Sequence, residues 1–300
     1  MHSIIIEANT RTHLIFSISI VRKNIGLHKI KKIVLITGQI NKIKPFFFDI
    51  LTFLRSKKIS VIQTNRQNFQ RHTNKSFHSM YTFSYVPFIL LKYKLFKLSK
   101  APIIRYEEGI GNYSSFLDLC YAYFKLKFYL LFVLAPISRF LKVILDFFSL
   151  TKDEYLISKK NKINYKLRKF IIETIYDLHK KKSSKNTTCG ALFCINSFLD
   201  YKKLKYLINS YKTFVIKQHP RFFESEKKNK FTKNFYFGKL SSEELVFIKK
   251  IKDIYAFNSS TLVYCSILFK SKCYNIPFPP IKYSERAKKI LNKFSKKIII

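Results

Sequence analysis

Short apolar runs without alternation recur along the chain, and each is followed by a longer stretch whose apolar residues return at helical spacing. Ile4-Ile5-Ile6 precedes such a stretch from Thr12 to Lys23, Lys32 to Thr37 precedes Lys44 to Lys57, and Ile59 to Gln63 comes next. A strand with one wet face alternates apolar and polar residues, so continuous runs mark strands buried on both faces, as in a parallel sheet covered by helices. The polar stretch Thr64 to Lys75 reads as a loop, Val86 to Lys100 as a helix and Pro102 to Tyr106 as a further strand.

From Ser115 to Leu150 the pattern is an almost wholly apolar and aromatic helical pair, broken at Pro136 and studded with Lys125, Lys127, Arg139 and Lys142. It reads as core, with a basic aromatic surface on anionic lipid as the alternative. A strand from Asp153 to Ser158 and a helix from Leu167 to Lys180 lead to Lys180 to Thr188, which has no apolar residue and makes the best linker. The alternation then restarts, with strand-like runs at Ala191 to Ile195, Thr213 to Lys217, Phe235 to Phe237, Ile254 to Phe257 and Lys272 to Ile276. Three hundred residues hold two domains of about 150. The expected class is α/β, with two facing Rossmann-like domains, residues 1–184 and 185–300, and a cleft between them.

The chain carries 57 Lys and Arg against 17 Asp and Glu, a formal charge of +40. Such an excess points to nucleic acid or an anionic membrane. The same chain is heavy in Lys, Ile, Phe, Asn and Tyr and has no Trp, a bias that an AT-rich genome produces through codon usage, so part of the charge is background. The basic residues are spread rather than clustered, and no helix-turn-helix, RNP or zinc signature is present, so no nucleic-acid partner is expected. Cys120, Cys189, Cys194, Cys265 and Cys273 form no C-x-x-C pair and have no histidine at zinc spacing. Scattered single cysteines fit a reducing compartment. The start Met-His-Ser-Ile-Ile-Ile-Glu is not built like a secretory signal, and the apolar run Phe128 to Ser138 is too short to span a bilayer. The expectation is a cytoplasmic protein, held if at all on the inner face of the membrane by charge and the aromatic stretch Tyr121 to Phe148.

Ligands of open α/β sheets bind beyond the carboxyl ends of the strands, so chemistry is sought there. Three places qualify. Glu107 and Glu108 stand side by side after Pro102 to Tyr106, followed by Gly109. Adjacent carboxylates repel, which raises one pKa and favours a proton acceptor near neutrality; the alternative is a solvated turn. His219 and Pro220 follow the run Thr213 to Lys217. Proline keeps the preceding backbone extended, so His219 stands at a strand end with a titration range suited to protonating a leaving group, or is an ordinary surface histidine. Asn258, Ser259 and Ser260 fall between a strand and the apolar helical stretch Leu262 to Phe269. Hydroxyls and free N–H groups at a helix start bind anions, and the same residues are also ordinary caps. His13, after the first strand, is a weaker candidate for substrate contact, while His72 and His78 fall in polar sequence and read as solvated. No Walker loop, G-x-G-x-x-G, zinc box or G-x-S-x-G elbow occurs.

An acid-acid-glycine motif, then His-Pro, then a serine pair some forty residues on resembles the bacterial sialyltransferases and polysialyltransferases. The stretch Ile104 to Tyr113 is the most similar part, and the likeness in layout runs to about Pro280. The resemblance implies a GT-B architecture, an N-terminal acceptor-side domain and a C-terminal CMP-binding domain. It implies transfer from CMP-sialic acid to a cell-surface glycan, lipooligosaccharide or capsular polysaccharide, with inversion and without a metal or other cofactor. By the same analogy Glu107 is the general base, with Glu108 supporting it or exchanging roles, and His219 protonates the departing CMP phosphate. Ser259 and Ser260 bind that phosphate, with Gly109, Pro220 and Asn258 shaping the donor site. The alternatives are a transferase for another nucleotide sugar, an inactive relative, or a basic nucleic-acid-binding protein.

Overall fold

The computed structural model describes residues 1–37, 40–65, 68–72, 77–82, 102–106, 151–155, 158–159, 162–180, 188–195, 198–218, 235–236, 239–257, 259–277 and 285–298. The chain divides into two units, Met1–Leu178 and His179–Ile300.

In the first unit, β1 (His2–Glu7), α1 (Arg11–Asn24), β2 (Ile30–Thr37), α2 (Ile40–Ser56) and β3 (Ser60–Asn65) follow one another as the apolar runs require. β4 (Ser79–Thr82), β5 (Ile103–Tyr106) and β6 (Thr151–Tyr155) complete a six-stranded sheet in the order β3-β2-β1-β4-β5-β6, every pair parallel. Ile4, Ile5 and Ile6 are fully buried, and β2 faces β1 with Val34 opposite Ile5. A short antiparallel pair, β7 (Ser158–Lys159) and β8 (Lys162–Ile163), leads into α3 (Tyr165–His179).

The apolar residues of α1 do not fall on one stripe, and the helix is buried from His13 to Val21. Its buried hydroxyls are satisfied within the helix, Ser17 donating to the Leu14 carbonyl and Ser19 to that of Ile15. Ser19 also meets Thr174 of α3 at 3.0 Å, and Arg22 pairs with Asp177 at 2.8 Å, which ties α3 to α1.

The second unit repeats the plan. β9 (Ala191–Ile195), α4 (Phe198–Asn209), β10 (Phe214–Gln218), β11 (Phe235–Tyr236), α5 (Ser242–Lys249), β12 (Asp253–Phe257), α6 (Ser260–Phe269), β13 (Lys272–Ile276), α7 (Glu285–Phe294) and β14 (Lys296–Lys297) form a second parallel sheet. Its order is β11-β10-β9-β12-β13-β14. Counted from its own first strand, this is the same order as in the first unit, the arrangement of dinucleotide-binding sheets. One face carries an aromatic ladder across three adjacent strands: Phe193 stacks on Tyr255 at 4.9 Å and Tyr255 on Tyr274 at 4.6 Å. Tyr211 closes it edge-on, donating to Asp253 at 3.0 Å.

Several expectations shift. The polar stretch from Thr64 contains the end of β3 and a 3-10 turn at Phe69–His72, because backbone pairing with β2 continues to Asn65. The last strand of the first sheet is Thr151–Tyr155 rather than Asp153 to Ser158. β4, β7, β8 and β14 carry too few residues to show a period. Residues 83–101, 107–150, 181–187 and 219–234 lie outside the described residues, and with them the expected helix at Val86 to Lys100, the stretch Ser115 to Leu150 and most of the linker.

Candidate functional site at the carboxyl edges of the two sheets

In both sheets the strand order reverses between the first and fourth strands, and the crevice at such a switch point is where ligands of these folds bind. In the first unit it lies between β1 and β4. β1 ends in Glu7, a wholly buried carboxylate that accepts a hydrogen bond from the Thr82 hydroxyl at the end of β4. The Tyr106 hydroxyl, at the end of β5, donates to the carbonyl oxygen of the same Glu7. The ends of β4 and β5 are thereby fastened to the end of β1.

Beyond Glu7 the chain turns at Asn9-Thr10 into α1, where the Thr10 side chain accepts from the His13 N–H at 3.2 Å. His13 is buried, and its ring meets that of Tyr106 edge-on at 6.1 Å. Arg11 opens the helix with no acidic residue in the first turn, an unfavourable place for a cation. Asp49 of α2 offsets it through a two-pronged ion pair of 2.6 and 2.8 Å. His13 therefore does stand at the switch point, beside Tyr106. Glu107, Glu108 and Gly109 follow Tyr106 directly in the chain and lie outside the described residues.

In the second unit the switch point lies between β9 and β12. After β12, Ser259 has extended backbone angles and caps α6, its hydroxyl accepting from the Thr261 N–H at 3.2 Å. Ser260 is the first residue of the helix, and both serines are half-buried. A second helix start belongs to α5, where Ser241 and Glu244 close a reciprocal capping box with bonds of 2.8 and 3.2 Å. The other carboxylate oxygen of Glu244, Oε1, accepts from His179 Nε2 at 2.7 Å, both groups being fully buried.

β10 brings buried Lys217 and Gln218 to the same carboxyl edge, and the described chain stops there, one residue before His219. Cys194, near the end of β9, lies 3.5 Å from the Ser242 hydroxyl. Burial pushes its thiol up to about 11, against smaller downward pulls from Ser242 and Lys217 and an upward push from Glu243. Cys194 is thus a neutral thiol rather than a nucleophile, and Lys217 is the cation felt at this edge. A buried lysine and the start of α6, which has no acidic residue in its first turn, favour a bound anion at this edge, whereas Glu243 and Glu244 already fill the first turn of α5.

Of the residues singled out in the sequence, Ser259, Ser260 and His13 fall at switch points, while Glu107, Glu108, Gly109, His219, Pro220 and Asn258 lie outside the described residues. Glu7, Thr82 and the capping box at α5 were not anticipated. The signals available were an acid closing the apolar run Ile4 to Ile6 and, for the capping box, Ser241 followed three residues later by Glu244 before the apolar run Leu245 to Ile248. Among the described residues no group of three or more His, Cys, Asp and Glu is placed to hold a metal ion. Among them, too, no helix is long and apolar enough to cross a membrane.

No protein-family profile matches the chain, and no curated protein matches it in sequence. Solved structures do match in fold. The α/β-galactoside α-2,3-sialyltransferase of the luminous marine bacterium Photobacterium phosphoreum superposes with a TM-score of 0.55 at 12% identity, over 99% of this chain and 98% of that one. The UGT73P12 protein of Glycyrrhiza uralensis, complexed with glycyrrhetinic acid 3-O-monoglucuronide, gives 0.52 at 9% identity, over 99% of this chain and 81% of that one. The chain has an α/β, GT-B-like fold built from two Rossmann-type sheets.

Proposed function

We propose that the protein is a glycosyltransferase that moves sialic acid from CMP-sialic acid to a cell-surface glycan, lipooligosaccharide or capsular polysaccharide, with inversion and without a metal. The observation that carries this is Ser259 capping α6 at the switch point of the second sheet, the place where a nucleotide phosphate belongs in such folds. The order of the motifs, acid pair, His-Pro, serine pair, and the likeness in fold to a sialyltransferase support the choice of donor.

In this reading residues 1–184 handle the acceptor and residues 185–300 bind the donor. Glu107 removes the proton from the acceptor hydroxyl, with Glu108 beside it, as that oxygen attacks the anomeric carbon of sialic acid. The bond from that carbon to the CMP phosphate oxygen breaks with its electron pair on the phosphate. His219 gives that oxygen a proton, while Ser259, Ser260 and the N–H groups of α6 hold the phosphate and Lys217 offsets its charge. Gly109, Pro220 and Asn258 shape the loops around the donor. Peripheral contact with an anionic membrane on the cytoplasmic side, where glycan acceptors on lipid carriers would be met, belongs to the same reading.

Release of CMP from CMP-sialic acid without acceptor tests it. Wild type should hydrolyse the donor slowly, and His219→Ala and Glu107→Gln should each lower transfer by about 10²–10⁴ while the fold persists. The start of α6 would hold the phosphate of any nucleotide sugar, so a second reading is a different nucleotide sugar as donor. CMP release from no sialyl donor, with release of nucleotide from a UDP-sugar, would select it.

A further inference from the structure

The edge of the second sheet opposite Ser259 has a character of its own. β12 and β13 are neighbours, and each is entered from a helix that ends on a lysine in the left-handed conformation, Lys250 after α5 (φ 48°) and Lys270 after α6 (φ 57°). Two residues on, each turn presents another lysine, Lys252 before β12 and Lys272 at the start of β13. The Lys272 N–H donates to the Lys252 carbonyl at 2.8 Å, so the two turns lie side by side. All four lysines are exposed, and between them half-buried Phe247 and Phe269, ring centroids 6.1 Å apart, line a depression of about 560 Å³. On the outer strand, β14, exposed Lys296 and Lys297 pair farther along β13, beside Tyr274 and Asn275.

No carboxylate among the described residues forms an ion pair with any of these four lysines. Asp253, between the two turns, is engaged by the Tyr211 hydroxyl at 3.0 Å. Against Asp253, which stands in register with Lys272, four lysines leave a net positive charge at this edge, and an anionic partner relieves their mutual repulsion. The apolar floor narrows the choice of partner. Phe247 and Phe269 are packed against each other at 46°, not held apart as parallel platforms for stacked bases. Aromatic rings within a ring of lysines suit the boundary of a bilayer, where the ammonium groups meet lipid phosphates and the rings meet the glycerol and upper acyl region.

We propose that this amino edge of the second sheet docks the protein onto a bilayer containing anionic phospholipids. The proposal gives a surface to the membrane contact in the reading above, on which it rests only in part, since docking requires no donor, acceptor or transfer.

The test is sedimentation of the full chain with vesicles of phosphatidylcholine, alone or with one third phosphatidylglycerol, at low and high salt. One variant removes the four charges as Lys250→Asn, Lys252→Ser, Lys270→Asn and Lys272→Ser, asparagine being chosen where the backbone is left-handed. A matched variant removes four exposed lysines elsewhere on the same unit, Lys202→Ser, Lys203→Ser, Lys205→Ser and Lys289→Ser, so net charge falls equally. At about fivefold per lysine, the edge variant should lose 100-fold or more in partition onto anionic vesicles at low salt, and the matched variant far less. Both should melt cooperatively and hydrolyse CMP-sialic acid like wild type.

Equal losses in the two variants would assign binding to net charge and overturn the proposal. So would unchanged binding in the edge variant, or a single-stranded oligonucleotide that binds wild type and loses affinity only in the edge variant while vesicle binding is unaffected. If wild type releases no CMP yet the vesicle results hold, the docking surface stands and the transferase reading falls.

Discussion

Tyr106, the last residue of β5, donates its hydroxyl to the backbone carbonyl of Glu7, the last residue of β1, although β4 runs between those two strands. The bond reaches over a whole strand and holds the residue that immediately precedes Glu107. Tyr106→Phe removes the donor and leaves a buried carbonyl short of a partner, which should cost the first unit about 1–3 kcal/mol in urea unfolding. If Glu107 is the base, turnover should fall further than the stability change explains, with donor KM unchanged. A variant of wild-type stability and turnover would show that the bond positions nothing.

Ser259 can be both a cap and a phosphate ligand, and two substitutions separate the roles. Ser259→Ala loses the bond from the Thr261 N–H and should destabilise the second unit by about 1 kcal/mol. Ser259→Asp keeps a capping oxygen, so stability should stay within about 0.5 kcal/mol, but it sets a negative charge where the CMP phosphate would bind. Calorimetric titration with CMP should then show affinity nearly abolished in the Asp variant. Wild-type affinity there would leave Ser259 as a cap alone.

α2 ends in a Schellman turn with Lys58 at φ 61°, the Ile59 N–H bonding the Leu54 carbonyl at 3.2 Å and the Lys58 N–H that of Arg55 at 2.8 Å. A lysine in this conformation crowds its Cβ against the following carbonyl, a strain that glycine lacks. Lys58→Gly should therefore stabilise the first unit by about 0.5–1 kcal/mol, net of the extra freedom glycine gains in the unfolded chain. Differential scanning calorimetry reads the change as a higher melting temperature, and a lower one would refute the account.

The second unit should be sensitive to alkali. Burial pushes the thiol of Cys194 up to about 11 and that of Cys273 up to about 12, and holds Cys265 well above the ordinary thiol value of 9.0. The hydroxyls of Tyr211 and Tyr255 are raised too, chiefly by burial. A raised folded pKa means that the native state holds its protons more tightly. The contribution to stability is then complete below the unfolded value and is lost as pH climbs through the folded one. Urea midpoints of the second unit should be flat up to about pH 9 and fall between pH 9 and 12. Cys194→Ala should flatten the lower part of that fall, and the thiols of Cys194, Cys265 and Cys273 should resist iodoacetamide at pH 8. A midpoint that drops below pH 8 would contradict the assignment.

How much the sequence disclosed follows from how far apart the determining residues lie. β9 and β13 are legible to the residue because Ala191–Ile195 and Lys272–Ile276 are compact runs bounded by turn residues. β4 is not, because Ser79 and Thr82 are polar by type and buried only through their place beside β1. β14 is two exposed lysines on a sheet edge, recruited by backbone pairing to β13. Ser259 is readable because a cap sits next to the helix it serves. Glu7 is not, because the Thr82 hydroxyl that completes it is 75 residues away. The basic edge escaped notice for a similar reason, since its lysine pairs lie in separate turns that meet only when β12 and β13 align.

The bond between His179 and Glu244 bears on how the chain can be cut. Most of α3 belongs to the first unit, through Thr174 and Asp177, yet its final residue lies in the second, buried on the carboxylate that caps α5. A recombinant second unit begun anywhere in the apolar-free stretch after His179 would look well chosen by composition and would still leave Glu244 sealed without its imidazole. Begun at Tyr165, the same fragment keeps that imidazole but carries the α1-facing side of α3 into water. A second-unit fragment with native stability therefore needs His179 retained and the α1-facing side of α3 redesigned with soluble side chains.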